Sequence, residues 1–200
     1  DSKVRDPRAL GLYLRSIGVL VGVDMEEQKP VRVPHEINVT DTQVFDQMTG
    51  DAAEMAKFIL SGEGSSTDRW RTSGDLERES RQATGIAKAP HVAAFVRFLL
   101  DTTDKVLLLG WHRSVYGIWL DLLADMNPVL YTGTETPKQK LASKHAFVKG
   151  DSRVMIMSIR SGSGLNGLQH VCNTAVVGEF DWSPGPINQC IGRLNRPGQP

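Results

Sequence analysis

The sequence predicts an α/β domain with a mostly parallel sheet flanked by helices. Three observations carry this. From residue 106 onward, short apolar segments alternate with helical ones, the rhythm of parallel strands joined by crossover helices. Residues 106–109, Val-Leu-Leu-Leu, form a continuous apolar run, as a strand buried on both faces requires. Glycines, hydroxyls and arginines gather just after the apolar segments, and sheets of this class bind ligands beyond the carboxyl ends of their strands.

The elements follow in order. Residues 1–30 are weakly patterned: Leu10, Leu12, Leu14 and Ile17 are candidates for packing, with Arg5, Arg8 and Arg15 exposed, and 26–30 is a polar connector. Val31, Val33, His35, Ile37 and Val39 alternate with other residues, a strand pattern in which Pro34 indicates an edge or a bend. Asp41 is placed to cap a helix reaching about residue 60, with Val44, Met48, Met55 and Phe58 at apolar positions. Residues 61–74 are rich in Gly, Ser and Thr, carry Arg69, Trp70 and Arg71, and are expected to form a mobile loop. Helices are expected over 76–84 and 88–100. Then come a strand at 106–109, a helix at 114–123 and a short strand at 129–131. Thr136 and Pro137 start a helix through Lys140, Lys144 and Phe147. Strands at 154–157 and 175–177 follow, and Ser183 and Pro184 open the last helix. This divides the chain into a connector with an edge strand, residues 1–40, and an α/β domain, residues 41–200.

Composition sets bounds on function. The chain has 200 residues, 40% hydrophobic and 23% charged, enough to bury a sizeable core and unlike a disordered tail. Lys+Arg and Asp+Glu are equal at 23 each, so net charge carries no nucleic-acid signal, though a local basic strip remains open. No apolar run is long enough to span a membrane, and no stretch reads as a signal peptide. Cys172 and Cys190 lack metal-binding spacing, which points to a reduced, cytoplasmic setting. His35, His91, His112, His145 and His170 form no paired motif, so no metal site is expected within the chain. The chain opens at Asp1 without Met and stops at Pro200, just past its last helix, as a piece of a longer protein would.

The chemistry gathers on the predicted rim. Gly110, Trp111, His112 and Arg113 follow one strand; Thr132 and Gly133 follow the next; Ser158, Arg160, Ser161, Gly162, Ser163 and Gly164 follow the third; Gly178 and Glu179 follow the fourth. Glycine lets backbone N–H groups approach an oxyanion, and hydroxyls add donors. In the last segment Gln189, Arg193 and Arg196 are spaced by steps of four and three, which on a helix places all three on one face. Arginine stays protonated and forks onto phosphate oxygens. Two arginines alone fit a solvated helix as well; the rim around them favours a polyanion. Gly162, Gly164 and Gly167 also match G-x-G-x-x-G, with Glu179 downstream, the outline of a dinucleotide fingerprint. Between Gly167 and Ala175, however, there is too little chain for a crossover helix, which needs roughly 10–12 residues.

With the rim and the last segment together, the sequence resembles the C-terminal RecA-like lobe of Swi/Snf-type ATPases of helicase superfamily two, bacterial, phage and annealing-helicase members above all. The resemblance runs from about Tyr13 to Gln199. Its strongest parts are residues 158–169, Ser-Ile-Arg-Ser-Gly-Ser-Gly-Leu-Asn-Gly-Leu-Gln, and Asp181-Trp-Ser-Pro with Arg193-Leu-Asn-Arg-Pro-Gly-Gln, which look like the family's motifs five and six. Residues 107–116, with His112, look like motif four. Asn195 stands where histidine is common, and Asn166 where Asp is frequent, which puts a ribose contact there in doubt.

The resemblance implies half of an ATPase site. ATP and Mg would be held mainly by an N-terminal RecA-like lobe. This lobe would bring Arg193 and Arg196 to the phosphates, Arg196 as arginine finger, with Gln189 toward the γ-phosphate or attacking water. Gly164 and Asn166 would line the nucleotide. His112, Arg113, Thr132, Gly133, Arg160 and Ser161 would face the phosphate backbone of DNA. The location implied is cytoplasmic, with the nucleoid in bacteria or the nucleus in eukaryotes. The chain contains no Gly-Lys dipeptide, hence no phosphate loop, and no Asp-Glu dipeptide, hence no acidic box. By itself it is expected to be inactive. The rival expectations are a non-catalytic nucleic-acid or protein interaction module of the same fold and, behind it, a dinucleotide-binding domain.

Overall fold

A computed structural model describes residues 6–17, 30–39, 42–50, 52–161, 165–180 and 183–196. Three N-terminal helices, α1 (Pro7–Ser16), α2 (Gln43–Met48) and α3 (Ala52–Ser61), precede a long helix, α4 (Ser66–Leu100). The remainder alternates: β1 (Val106–Gly110), α5 (Arg113–Leu122), β2 (Val129–Tyr131), α6 (Pro137–Lys149), β3 (Val154–Ser158), β4 (Thr174–Val177) and α7 (Pro184–Ile191). Among the described residues the sheet has four strands in the order β2-β3-β1-β4, all parallel.

The central strands β1 and β3 are buried along nearly their whole length, because helices cover both faces. Val106, Leu108, Val154 and Ile156 point to one side, into a core with Ala89, Val92 and Val96 of α4 and Val115 and Trp119 of α5. Leu107, Leu109, Met155 and Met157 point to the other, against Phe147 of α6 and Ile187 and Cys190 of α7. Trp119 is fully buried, its indole N–H donates to the Ala89 carbonyl at 3.2 Å, and its ring lies against Gly110 and Gly178. A β-carbon at either glycine would come within 2.6 Å of that ring.

Several local expectations are corrected. The segment 30–39 is not a strand; it is an irregular connector. Its Arg32 donates to Asn188 of α7 at 3.0 Å, His35 stacks on Phe95 of α4, and Ile37 packs on the α4–α5 core. The helix expected from Asp41 is two helices, α2 and α3, and Asp41 itself lies outside the described residues. The loop expected over 61–74 shrinks to residues 62–65. Ser65 starts α4 through a capping box, accepting from Asp68 N at 3.1 Å while the Asp68 carboxylate takes the Ser65 N–H. Arg69 then reaches back and donates to the carbonyls of Gly62, Glu63 and Gly64, tying the loop down. The helices expected at 76–84 and 88–100 are parts of one α4, which passes through Pro90. Pro90 is exposed and, having no N–H, leaves the Ile86 carbonyl without its helical donor.

At its far end α4 is held by Arg153, which donates to the carbonyls of Leu100, Thr103 and Asp104 just before β3 begins. A guanidinium there satisfies carbonyls that the helix end leaves without partners. α6 opens as expected, with Pro137 in its first turn and Thr136 and Gln139 forming a capping box. α7 opens at Ser183 and Pro184, but the Ser183 hydroxyl makes no cap bond. Pro186 occupies the third helical position, where a capping hydroxyl often finds its N–H, and a proline has none to give.

Candidate functional site

The ends of β2, β3 and β1 are adjacent in the sheet, so the predicted rim residues fall on three neighbouring strand ends. Thr132 and Gly133 follow β2, Arg160 and Ser161 lie in the 3-10 turn after β3, and His112 and Arg113 follow β1. Their environments differ. Gly133, Arg113 and Arg160 are exposed, whereas Thr132 is buried. Both the Thr132 amide and its hydroxyl donate to the Glu135 carboxylate. Burial opposes ionisation of Glu135, but the Thr132 N–H and the hydroxyls of Thr132 and Thr134 outweigh it and hold the carboxyl below the usual glutamate range. Thr132 therefore shapes the turn, and Gly133 is its solvent-facing neighbour.

Glu179, just past β4, organises the β1 end. Its carboxylate is 5% exposed and accepts from the main-chain N–H of Trp111 at 2.7 Å and of His112 at 2.9 Å. The other oxygen lies 2.6 Å from His112 Nδ1. His112 is thus oriented by a carboxylate, and its Nε2 is the ring nitrogen left for other contacts. The Arg160 guanidinium lies over the Trp111 ring at 4.1 Å from its centroid, which links the β3 end to the β1 end. A cleft of about 670 Å³ opens beside His112 and Glu179, between α4 and the β1 and β4 ends, with Arg81 and Lys88 also among its walls.

The stripe of Gln189, Arg193 and Arg196 is not one helical face. α7 stops at Ile191, with Gly192 as its C-cap, short of both arginines. The chain winds on through tighter turns, with Arg193 N bonded to the Cys190 carbonyl and Leu194 N to that of Ile191. In such tightened turns residues three apart line up, which brings the two arginines together without a helix. Arg196 Nη1 donates to Asn166 Oδ1 at 2.6 Å and Arg193 Nη1 approaches the same oxygen at 3.5 Å. Gln189 is exposed on α7, and no hydrogen bond among the described residues joins it to either arginine. Asn166 points its amide oxygen at the arginines, the role that residue identity alone did not reveal. Gly164, expected at the nucleotide, lies outside the described residues, as do Gly162, Ser163, Asp181 and Trp182.

Cys190 is a core residue: its Sγ donates to the Ile159 carbonyl at 3.4 Å, and burial pushes the thiol up to about 11. No group of His, Cys, Asp and Glu among the described residues is arranged to hold a metal ion. After Gly167 the chain makes only a 3-10 turn, Leu168–His170, before β4, so the crossover helix that a dinucleotide fingerprint requires does not follow it.

The sequence matches no protein-family model and no curated protein. Solved structures do match. The C-terminal part of the Fun30 ATPase domain superposes with a TM-score of 0.59 at 13% identity, covering 81% of this chain and 79% of that one. The fold is that of a Swi/Snf-type C-terminal ATPase lobe. The Sulfolobus solfataricus SWI2/SNF2 ATPase C-terminal domain agrees, with a TM-score of 0.54 at 11% identity over 69% of each chain. The parallel four-stranded sheet with helices on both sides is common ground with these Swi/Snf lobes. Among the described residues no helix is long and apolar enough to cross a membrane.

Proposed function

We propose that this chain is the second lobe of an ATP-dependent DNA translocase or remodeller, and that it completes an ATP site begun by an N-terminal RecA-like lobe. One observation carries the reading: two guanidiniums converge at the rim on a neutral amide oxygen, with no carboxylate pairing them among the described residues. Like charges held together without an anion are suited to receive one. In this reading Arg193 and Arg196 bind the ATP phosphates, and Arg196 stabilises the charge that develops on the transferred phosphoryl group. Gln189 turns toward the γ-phosphate or the attacking water when the lobes meet. Mg²⁺ belongs with the first lobe, where it would offset phosphate charge; no residue of this chain is assigned to it. His112, Gly133, Arg113, Arg160 and Ser161 lie along the DNA backbone, with Thr132 shaping their loop. The protein works where its DNA is, in the nucleoid or the nucleus.

The test uses the protein that joins this chain to its first lobe. This chain alone should not hydrolyse ATP, whereas the joined protein should do so with stimulation by DNA. Arg196→Ala should lower turnover on the order of 10³-fold or more while ATP affinity falls much less, because the contact matures in the transition state. Arg196→Lys should rescue poorly, since an ammonium lacks the fork. Near-normal turnover in a folded Arg196→Ala protein would remove Arg196 from catalysis.

A further inference from the structure

We propose that Trp111 is a positioning residue for the DNA contact: its indole face holds the Arg160 guanidinium at the rim, with its charge undiminished, for a backbone phosphate to meet. The inference rests on the DNA reading above and names the device that readies one of its cations.

The strand register sets the pair up. Gly110 is the partner of Ser158 at the ends of β1 and β3, so Trp111 and the turn Ile159–Ser161 leave adjacent strands side by side. Both are anchored from beneath. The Trp111 N–H donates to the buried Glu179 carboxylate at 2.7 Å, and its side chain packs on the core beneath α6 and α7. Ile159 is buried, so the exposed Arg160 starts from a fixed point. The Arg160 Cζ lies 4.1 Å from the centroid of the Trp111 ring, well inside cation–π range.

Two neighbouring arginines are held differently. Arg78 of α4 lies 3.1 Å from Asp75, and Arg81 lies 3.7 Å from Glu77, so each has a carboxylate beside it. Both line a small cleft whose other walls include Trp111 and His112. Among the described residues no hydrogen bond or ion pair engages the Arg160 guanidinium. A carboxylate fixes a guanidinium and offsets its charge. An aromatic face fixes it through the ring quadrupole and brings no counter-charge. The ring also orders a long side chain in advance, which lowers the entropy that binding costs. A phosphate would meet an arginine already placed, with its N–H fork uncommitted to another oxygen.

The test is binding of a fluorescently labelled DNA duplex to the 200-residue chain at low salt, with NMR of the Arg160 side chain. In the free chain the indole ring current should shift the Arg160 side-chain protons upfield. That shift should persist when DNA is added, while the Arg160 Nε–H signal moves. Trp111→Leu should weaken binding about two- to fivefold, the scale of an exposed cation–π contact, and Trp111→Phe should restore most of it. In an Arg160→Ala background Trp111→Leu should cost nothing further, since the ring acts through the guanidinium. The wild-type spectra decide the point should Trp111→Leu fail to fold. An upfield shift lost on DNA binding, an Arg160 signal that stays still in a chain that binds DNA, or an equal cost of Trp111→Leu with and without Arg160 would each overturn the positioning role and leave the DNA reading standing. A chain that does not bind the duplex at all would remove the DNA reading and this inference with it.

Discussion

Gly85 of α4 faces the Glu179 carboxylate so closely that a β-carbon on it would lie 2.4 Å from Oε1. The long helix can run beside the β1 and β4 ends only because that position carries no side chain. Val115 would stand 3.0 Å away on another side, so the added methyl has little room to shift.

Gly85→Ala should therefore destabilise the protein. In an exposed helix the change would gain about 1 kcal/mol from backbone propensity. Here it overpacks a buried carboxylate already engaged with two N–H groups and a histidine, at a cost of about 1–3 kcal/mol. Urea unfolding of the two proteins gives the sign; a more stable Gly85→Ala protein would contradict this packing.

Glu135 should contribute to acid sensitivity. Its carboxyl is held below the ordinary value near 4.5 when folded, so its stabilisation is present above that pH and is lost as pH falls through the lower folded value. Glu135→Gln should accordingly be less stable than wild type at neutral pH, with the gap narrowing as the pH drops below about 4.5. Thermal melts across that range check it; a gap that stays constant with pH would refute it.

Arg153→Ala should fray the carboxyl end of α4. Three carbonyls lose one charged donor, a loss of about 2 kcal/mol. Amide exchange should rise in residues 97–105 before it rises in β1 and β3. Unchanged exchange there would show that the guanidinium is dispensable.

DNA binding under the proposed function should be weak and steeply salt-dependent, because the contacts are to phosphate and the net charge is zero. Arg160→Ala should reduce the slope of log affinity against log salt by about one. Affinity that does not change with salt would rule out phosphate contacts as its basis.

The sheet was legible because burial on both faces leaves a local mark: residues 106–109 and 154–157 are apolar without interruption. Features set by partners distant in sequence were not. Val31 and Val33 alternate like a strand yet are 90% and 80% exposed, since alternation says nothing about whether a neighbouring strand is available. The loop expected to reach Gly74 and the gap expected between 84 and 88 do not interrupt the helix, because α2, α3 and α5 pack along α4 and override them. The Ser65–Asp68 capping box lay in plain sight inside a stretch whose glycines and serines pointed to a loop. At the site, the arginine spacing was legible, but its helix was not: Gly192 ends α7 before the stripe is complete. Glu179 entered as one rim residue among several and as the tail of a glycine pattern, and its grip on His112 depends on β4 lying beside β1.

Among the described residues the sheet's boundary strands are short, β2 with three residues and β4 with four. Each leaves only a few backbone groups on its outer side. A strand from another copy would find too short a ladder there to bind, and the residue before β2 is Pro128, which has no N–H to offer. The long apolar strands that would recruit such a partner most strongly are enclosed at the centre. Among the described residues, the order of the strands thus offers only short edges to edge-to-edge pairing.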